Sequence, residues 1–378
     1  MALAGLLWAR PFAAVNFALD HLVGAAPEWT QVKTLLRDPQ RHETTSGELA
    51  RQSYETLSRF WGPQTGRRRV VFAGNSQMMT MSLAPGEARP GPVEKTYFDT
   101  LYDSLSEKAG APLCYRLAAG GLTYEEVLFN LHYFLGRPEL KPDVLVLQIN
   151  YQAFRMGGIR EGLTDLLANP AMHAAAEEEA ASGALYADEF RSTLDRFAQK
   201  AAESAGGTGA QEGPVVLGAR LERQFRDAAK HSNLMAARHI QKEEFLDVLY
   251  RLRLYVLQLK PSTARSIAGS RLSRNRSCLE RIATLCQSQN VKLVLFLAPV
   301  NPRVLLFSSE EDKLSYRGYV TELAERFHLS LYDFEAAIPE QYWGSYYNAP
   351  DPLHMGRRGH ELFAATLQPA VEKALSLP

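Results

Sequence analysis

The sequence predicts an α/β fold: a doubly wound parallel sheet of five strands, with a large helical insertion. Three observations carry this. Short apolar runs alternate with helical stretches, as successive βαβ units require. The runs RVVFAG, LCYRLAA, VLVLQIN, VKLVLFLAP and LSLYDF are mostly apolar instead of alternating, which marks strands covered on both faces. Between the third and fourth runs, residues 151–290 are largely helical in character, where a single crossover helix would suffice.

Taken in order, the amino terminus is apolar, but Arg10, Pro11 and Asp20 break it well short of the ~20 residues that span a bilayer. Phe12, Val15, Leu19 and Leu22 share one helical face, so a docked or membrane-surface helix is expected there. Residues 27–66 are polar with helical character. Arg69–Gly74 is the first strand, and Gln77–Met81 after Ser76 is expected to open a helix. A turn-rich segment, 84–92, precedes a helix over 96–109. The second strand follows, and TYEEVLFNLHYFL then reads as an amphipathic helix. Asn150 ends the third strand. The insertion holds two helical blocks joined by the flexible SAGGTGAQEG, and the glutamates at 177–179 are expected on a solvated face. The fourth strand, a helix, the fifth strand and a closing helix complete the core. The expected organisation is a helical segment at 1–66, a core at 67–154 and 288–378, and an insertion at 155–287.

Composition narrows the function. Equal numbers of basic and acidic residues, 42 each among 378, argue against a general nucleic-acid binder. Cys114, Cys278 and Cys286 form no metal-type pair and no disulfide framework. No phosphate-binding loop, dinucleotide fingerprint or metal-ligand spacing is present, so neither cofactor nor metal is expected.

Two stretches carry chemistry. Ser76 follows the first strand, at the sheet edge where open α/β folds bind ligands. Before the last helix stands Asp351-Pro-Leu-His354, whose spacing lets a carboxylate fix one ring nitrogen of the imidazole and leave the other as a base. Alone, each has a bland alternative: a helix-capping serine, and an Asx turn beside a surface histidine.

Together the blocks FAGNSQ, AAGGLT, LQINYQ and DPLH resemble the SGNH (GDSL-type) serine hydrolase family, over residues 69–150 and 291–375. The resemblance implies a flavodoxin-like sheet and a triad of Ser76, Asp351 and His354. It also implies an oxyanion hole from the N–H groups of Ser76 and Gly121 and the Asn150 side chain. Asn75 stands where the family usually has aspartate, and Gln148 and Tyr151 flank the asparagine in place of glycine and aspartate. These departures are similar to those of envelope branches of the family, such as proteins of alginate O-acetylation or teichoic-acid D-alanylation. A cell-envelope location is favoured over the cytoplasm. The expected activity is that of a serine esterase or O-acyltransferase, forming an acyl-Ser76 intermediate on an acylated glycan or envelope polymer. A non-catalytic binding or scaffold protein of the same fold is the alternative.

One charge run stands apart. Arg251, Arg253, Arg271, Arg274, Arg276 and Arg281 face a single local acid, Glu280. Such a stretch binds an anionic membrane or polymer, or pairs with the acidic block at 177–195.

Overall fold

The computed structural model describes residues 32–33, 42–44, 50–82, 84–87, 95–108, 110–204, 267, 269–307, 309–346 and 349–375. The expected amino-terminal surface helix, the SAGGTGAQEG joint, most of the second helical block, and Arg251 and Arg253 lie outside them. The chain divides into two compact units. The larger, Thr30–Ala198, Ser262–Tyr346 and Pro350–Pro378, holds the sheet. The smaller, Met1–Trp29, Gln199–Pro261 and Tyr347–Ala349, falls almost wholly outside the described residues.

All five expected strands form: β3 (Arg69–Gly74), β5 (Leu113–Ala118), β6 (Val144–Ile149), β7 (Lys292–Leu297) and β8 (Ser330–Asp333). They pair in parallel in the order β5-β3-β6-β7-β8, the flavodoxin-like sequence in which the chain reverses direction beside the first strand. Two short strands precede them. β1 (Val32–Lys33) pairs antiparallel with β4 (Thr80–Met81), and β2 (His42–Thr44) extends the sheet alongside β5. The segment 1–66 is therefore not helical throughout: its described helix is α1 (Ala50–Trp61). Edge hydrogen bonding to β5 sets β2 where three polar-leaning residues carry no strand signal of their own.

Helices cover both faces. On one lie α2 (Tyr97–Ser106) and α8 (Arg357–Leu375), packed with Val70, Phe72, Val146 and Phe296 into one apolar cluster. On the other lie α3 (Tyr124–Leu135) and α6 (Gly269–Ser288), whose cluster includes Val71, Leu145, Leu147 and Leu295. Alternate residues of β3, β5, β6 and β7 thus feed opposite cores, which is why these four are buried almost along their length, whereas β8 at the sheet edge is part-exposed. Truncating Phe129, fully buried in the second cluster, should cost about 3–5 kcal/mol.

α3 is not amphipathic. Residues 124–134 are all buried, because α6 and α4 (Pro170–Ala181) pack over its outer side. Its polar groups therefore find partners far along the chain. Asn130 accepts from Tyr54. His132 Nε2 lies 2.8 Å from Glu179, which also accepts from Tyr186 at 2.7 Å and Arg281 Nε at 2.6 Å. Glu179 is fully buried, not part of a solvated face. Burial alone would raise its pKa, but the bonds from His132, Tyr186 and Arg281 outweigh that and hold it at about 2.

Much of the expected insertion adjoins this core. α4, α5 (Ala187–Ser204) and α6 are linked by Arg274–Glu189 and Arg281–Glu179 ion pairs. Arg276 lies 4.5 Å over the Tyr319 ring. These arginines take internal partners, and Arg271 is exposed with no ion pair among the described residues. Among the described residues no helix is long and apolar enough to cross a membrane.

Candidate active site

Ser76 begins a single 3₁₀ turn, Ser76–Met78, and not the longer helix expected from sequence. The chain leaves that turn directly into β4. Asn75 is the cap residue, its Oδ1 accepting from Gln77 N at 3.0 Å. Ser76 therefore has no capping duty, and its hydroxyl lies 2.9 Å from His354 Nε2.

His354 sits on β10 (Ala349–Met355), just before α8. Its Nδ1 is 3.0 and 3.1 Å from the two carboxylate oxygens of Asp351. Asp351 is buried at 1 % exposure and also accepts the backbone N–H groups of Leu353 (3.0 Å) and His354 (2.9 Å), with Ser82 Oγ at 3.4 Å. Burial pushes its pKa up, yet the His354 interactions and the two N–H donors outweigh it and hold the carboxyl below the usual range. An ionised carboxylate only accepts, so Nδ1 carries the hydrogen and Nε2 presents its lone pair to Ser76. That arrangement suits an imidazole to take the serine proton as attack begins. The sequence-predicted serine, histidine and aspartate are thus brought together from positions 278 residues apart.

The three expected oxyanion donors follow three adjacent strands. Gly121 lies after β5, Ser76 after β3 and Asn150 after β6, and neighbouring strands stand ~4.8 Å apart. Neither the Ser76 nor the Gly121 backbone N–H, nor the Asn150 Nδ2, donates a hydrogen bond to any described residue. Asn150 Oδ1 is engaged by Ala153 N at 2.9 Å, which orients the amide with its nitrogen left over. Gly121 holds φ at +65°, a left-handed conformation that glycine adopts without strain. The 156–160 loop secures this turn: Arg160 donates to Gly120 O at 2.7 Å, and the Met156 methyl lies over Gly121 Cα.

Several supports have no counterpart in the sequence reading. Gly74 lacks a side chain because the Gln148 amide lies across it: an added Cβ would stand 2.3 Å from Gln148 Oε1. Gln148 Oε1 accepts from Asn75 N at 2.9 Å. Arg116, fully buried, and Thr96 both donate to Met78 O, at 2.9 and 2.7 Å. Asn301 donates to Asp351 O at 2.7 Å, fixing the segment that carries the carboxylate. Asn75 and Gln148 had signalled themselves only as departures from a pattern; Asn301 gave no signal. His360 both caps and packs: its Nδ1 accepts from Tyr97 N at 3.0 Å and its ring stacks on Tyr97. Burial, with a smaller effect from His354, lowers its pKa to about 3, so it stays neutral at ordinary pH.

No family model matches the chain, and no curated protein does. Solved structures resemble it at low identity. One, from Bacteroides fragilis, is described as an acylhydrolase: 13 % identity, TM-score 0.37, covering 86 % of this chain and 96 % of that one. A GDSL-like lipase from Bacteroides thetaiotaomicron gives 12 %, 0.38, 86 % and 97 %. An acetylxylan esterase from Geobacillus stearothermophilus gives 12 %, 0.35, 82 % and 95 %. This chain is thus similar, at low identity, to solved structures described as an acylhydrolase, a GDSL-like lipase and an acetylxylan esterase.

Proposed function

We propose that the protein is a serine esterase or O-acyltransferase working through an acyl-Ser76 intermediate. The 2.9 Å contact between Ser76 Oγ and an imidazole whose far nitrogen is held by a buried carboxylate carries this reading. His354 Nε2 takes the hydroxyl proton as Oγ attacks an ester carbonyl. The N–H groups of Ser76 and Gly121 and the Asn150 amide receive the negative oxygen. The intermediate collapses as His354 returns the proton to the departing alcohol. Water then releases the acid, or a sugar hydroxyl carries the acyl group away. A groove of about 650 Å³, lined by Val300, Leu306, Phe307 and Ile338, meets the Asp351 segment through Asn301, which donates to Asp351 O, and is lined by none of Ser76, Gly121, Asn150 and His354. An acylated glycan or envelope polymer remains the substrate class implied by the sequence blocks. Among the described arginines of the basic run, contact with an anionic surface would fall to Arg271, since Arg274, Arg276 and Arg281 have internal partners.

The test is labelling with a fluorophosphonate probe and mapping of the modified peptide. The label should sit on Ser76, and Ser76→Ala should lower turnover of a p-nitrophenyl acyl ester by ~10⁴-fold with the fold intact. An unlabelled Ser76, or a Ser76→Ala variant with wild-type turnover, would return the protein to the scaffold reading.

A further inference from the structure

Two buried glutamines link the parts of the site that come from distant segments. Gln148 stands on β6, two residues before Asn150, and Gln77 follows Ser76. Gln148 Oε1 accepts from Asn75 N at 2.9 Å, and Gln148 Nε2 donates to Gln77 Oε1 at 2.5 Å. Gln77 Nε2 in turn donates twice, to Leu353 O at 2.7 Å and to Pro299 O at 3.0 Å. Both side chains are at most 2 % exposed.

Each amide has only one orientation that satisfies this chain, because carbonyl oxygens only accept and backbone N–H groups only donate. The direction runs from Asn75 N–H through Gln148 and Gln77 to the carbonyl of Leu353. One end is the residue before the nucleophile; the other is the residue before the base. Ser76 and His354 thus reach each other from elements with no strand pairing between them, yet share a dry, directional amide bridge. Gly74 belongs to the same device, since any side chain there would displace Gln148.

We infer that the Gln77–Gln148 amide pair is a positioning device that fixes the Ser76–His354 separation, so that the glutamines serve catalysis through geometry without touching substrate. The inference rests on the proposed roles of Ser76 and His354. A reacting geometry displaced by ~1 Å costs on the order of 100-fold in rate. Its signature is therefore a loss in kcat with KM little changed.

Two variants test it, with kcat, KM and the pH profile measured on a p-nitrophenyl ester and folding followed by thermal unfolding. Gln77→Met keeps the length but removes both donors and the acceptor; kcat should fall ~100-fold with KM within about threefold. Gln148→Glu should behave differently at different pH. As a neutral acid it can still accept from Asn75 N–H and donate to Gln77; as a carboxylate it can only accept, and it meets Gln77 Oε1 with charge. Its kcat should therefore decline on the alkaline side, where the wild-type rate stays level. This comparison within one protein stands even where Gln77→Met fails to fold. A lowered thermal transition with wild-type kcat and an unaltered pH profile would mean a purely structural role and would overturn the inference alone. Failure of the probe to label Ser76 in the wild-type protein would overturn it together with the proposed function.

Discussion

Replacing Gly121 by alanine separates two costs that the structure puts at one residue. The left-handed backbone at φ +65° charges an alanine roughly 1–2 kcal/mol. The added Cβ would also stand 2.3 Å from Met156 Cε and 2.9 Å from its Sδ. Those atoms end a flexible side chain that is 40 % exposed, so Met156 can swing outward and the collision itself is cheap. What the turn cannot absorb is a shift of the Gly121 N–H, a proposed oxyanion donor worth ~2.7–4 kcal/mol of barrier, or about 10²–10³ in kcat. The donor effect outweighs the contact. Gly121→Ala should lower kcat on p-nitrophenyl acetate by ~10²-fold, and adding Met156→Ala should restore less than ~10-fold of it. Met156→Ala alone should change kcat by no more than about threefold. The assay is steady-state kinetics on the four proteins of the cycle, with thermal unfolding alongside. Wild-type kcat in a stable Gly121→Ala protein would show that this N–H does not face the developing charge. Full recovery in the double variant would instead place the whole effect on the Met156 contact.

Other outcomes follow from the same geometry. His354→Ala should abolish turnover, whereas His360→Ala, losing a cap on Tyr97 N and a stacked ring, should lower the melting temperature far more than kcat; the reverse order in paired kinetics and unfolding would move the base to His360. Glu179, with its folded pKa depressed from 4.5 to about 2, contributes stability that is present above pH 4.5 and lost as pH falls toward 2, about 3 kcal/mol in all. Urea titrations should show a loss of stability between pH 5 and 3 that is shallower in Glu179→Gln, and parallel curves would remove Glu179 from the account. Arg274→Gln should weaken folding and leave co-sedimentation with anionic vesicles unchanged, because its charge is spent on Glu189. Arg271→Gln should reduce vesicle binding at low salt, and equal binding at every ionic strength would exclude Arg271 as a surface contact.

The sheet was legible because β3, β5, β6 and β7 are covered on both faces, and an apolar run such as Val70–Ala73 has no alternative place to go. β2 was not legible: His42–Thr44 is held by a register with Tyr115–Leu117 that local sequence does not encode. α3 and Glu179 were misread for one shared reason. A polar residue reads as solvent-facing until its partner is known, and here the decisive partners, Tyr54 for Asn130 and Arg281 and His132 for Glu179, lie 47 to 102 positions away. The short turn after Ser76 was missed because β1, which recruits Thr80 and Met81, stands far upstream. Ser76 and His354 could be matched to each other only through the order of the four blocks, since no spacing rule reaches across 278 residues.

The helical insertion is more closely tied to the site than its distance in sequence suggests. Arg160, within its first residues, pairs through Nε with the Glu126 carboxylate on α3 at 3.0 Å and donates to Gly120 O at 2.7 Å. Thr123 Oγ1 donates to Gly158 O at 2.8 Å, closing the loop onto the cap of α3. From the far end of the insertion, Asn275 on α6 donates to Phe154 O and Met156 O, both at 3.0 Å. Asn275 is fully buried, so these are bonds that water cannot readily replace. The two ends of the insertion therefore hold the 154–160 loop between them, and that loop holds Met156 over Gly121. Here the turn proposed to supply an oxyanion donor is braced by groups that the compact core blocks do not contain. The shape of the proposed acyl site is on this account a property of the expected insertion as much as of the sheet edge beside Ser76.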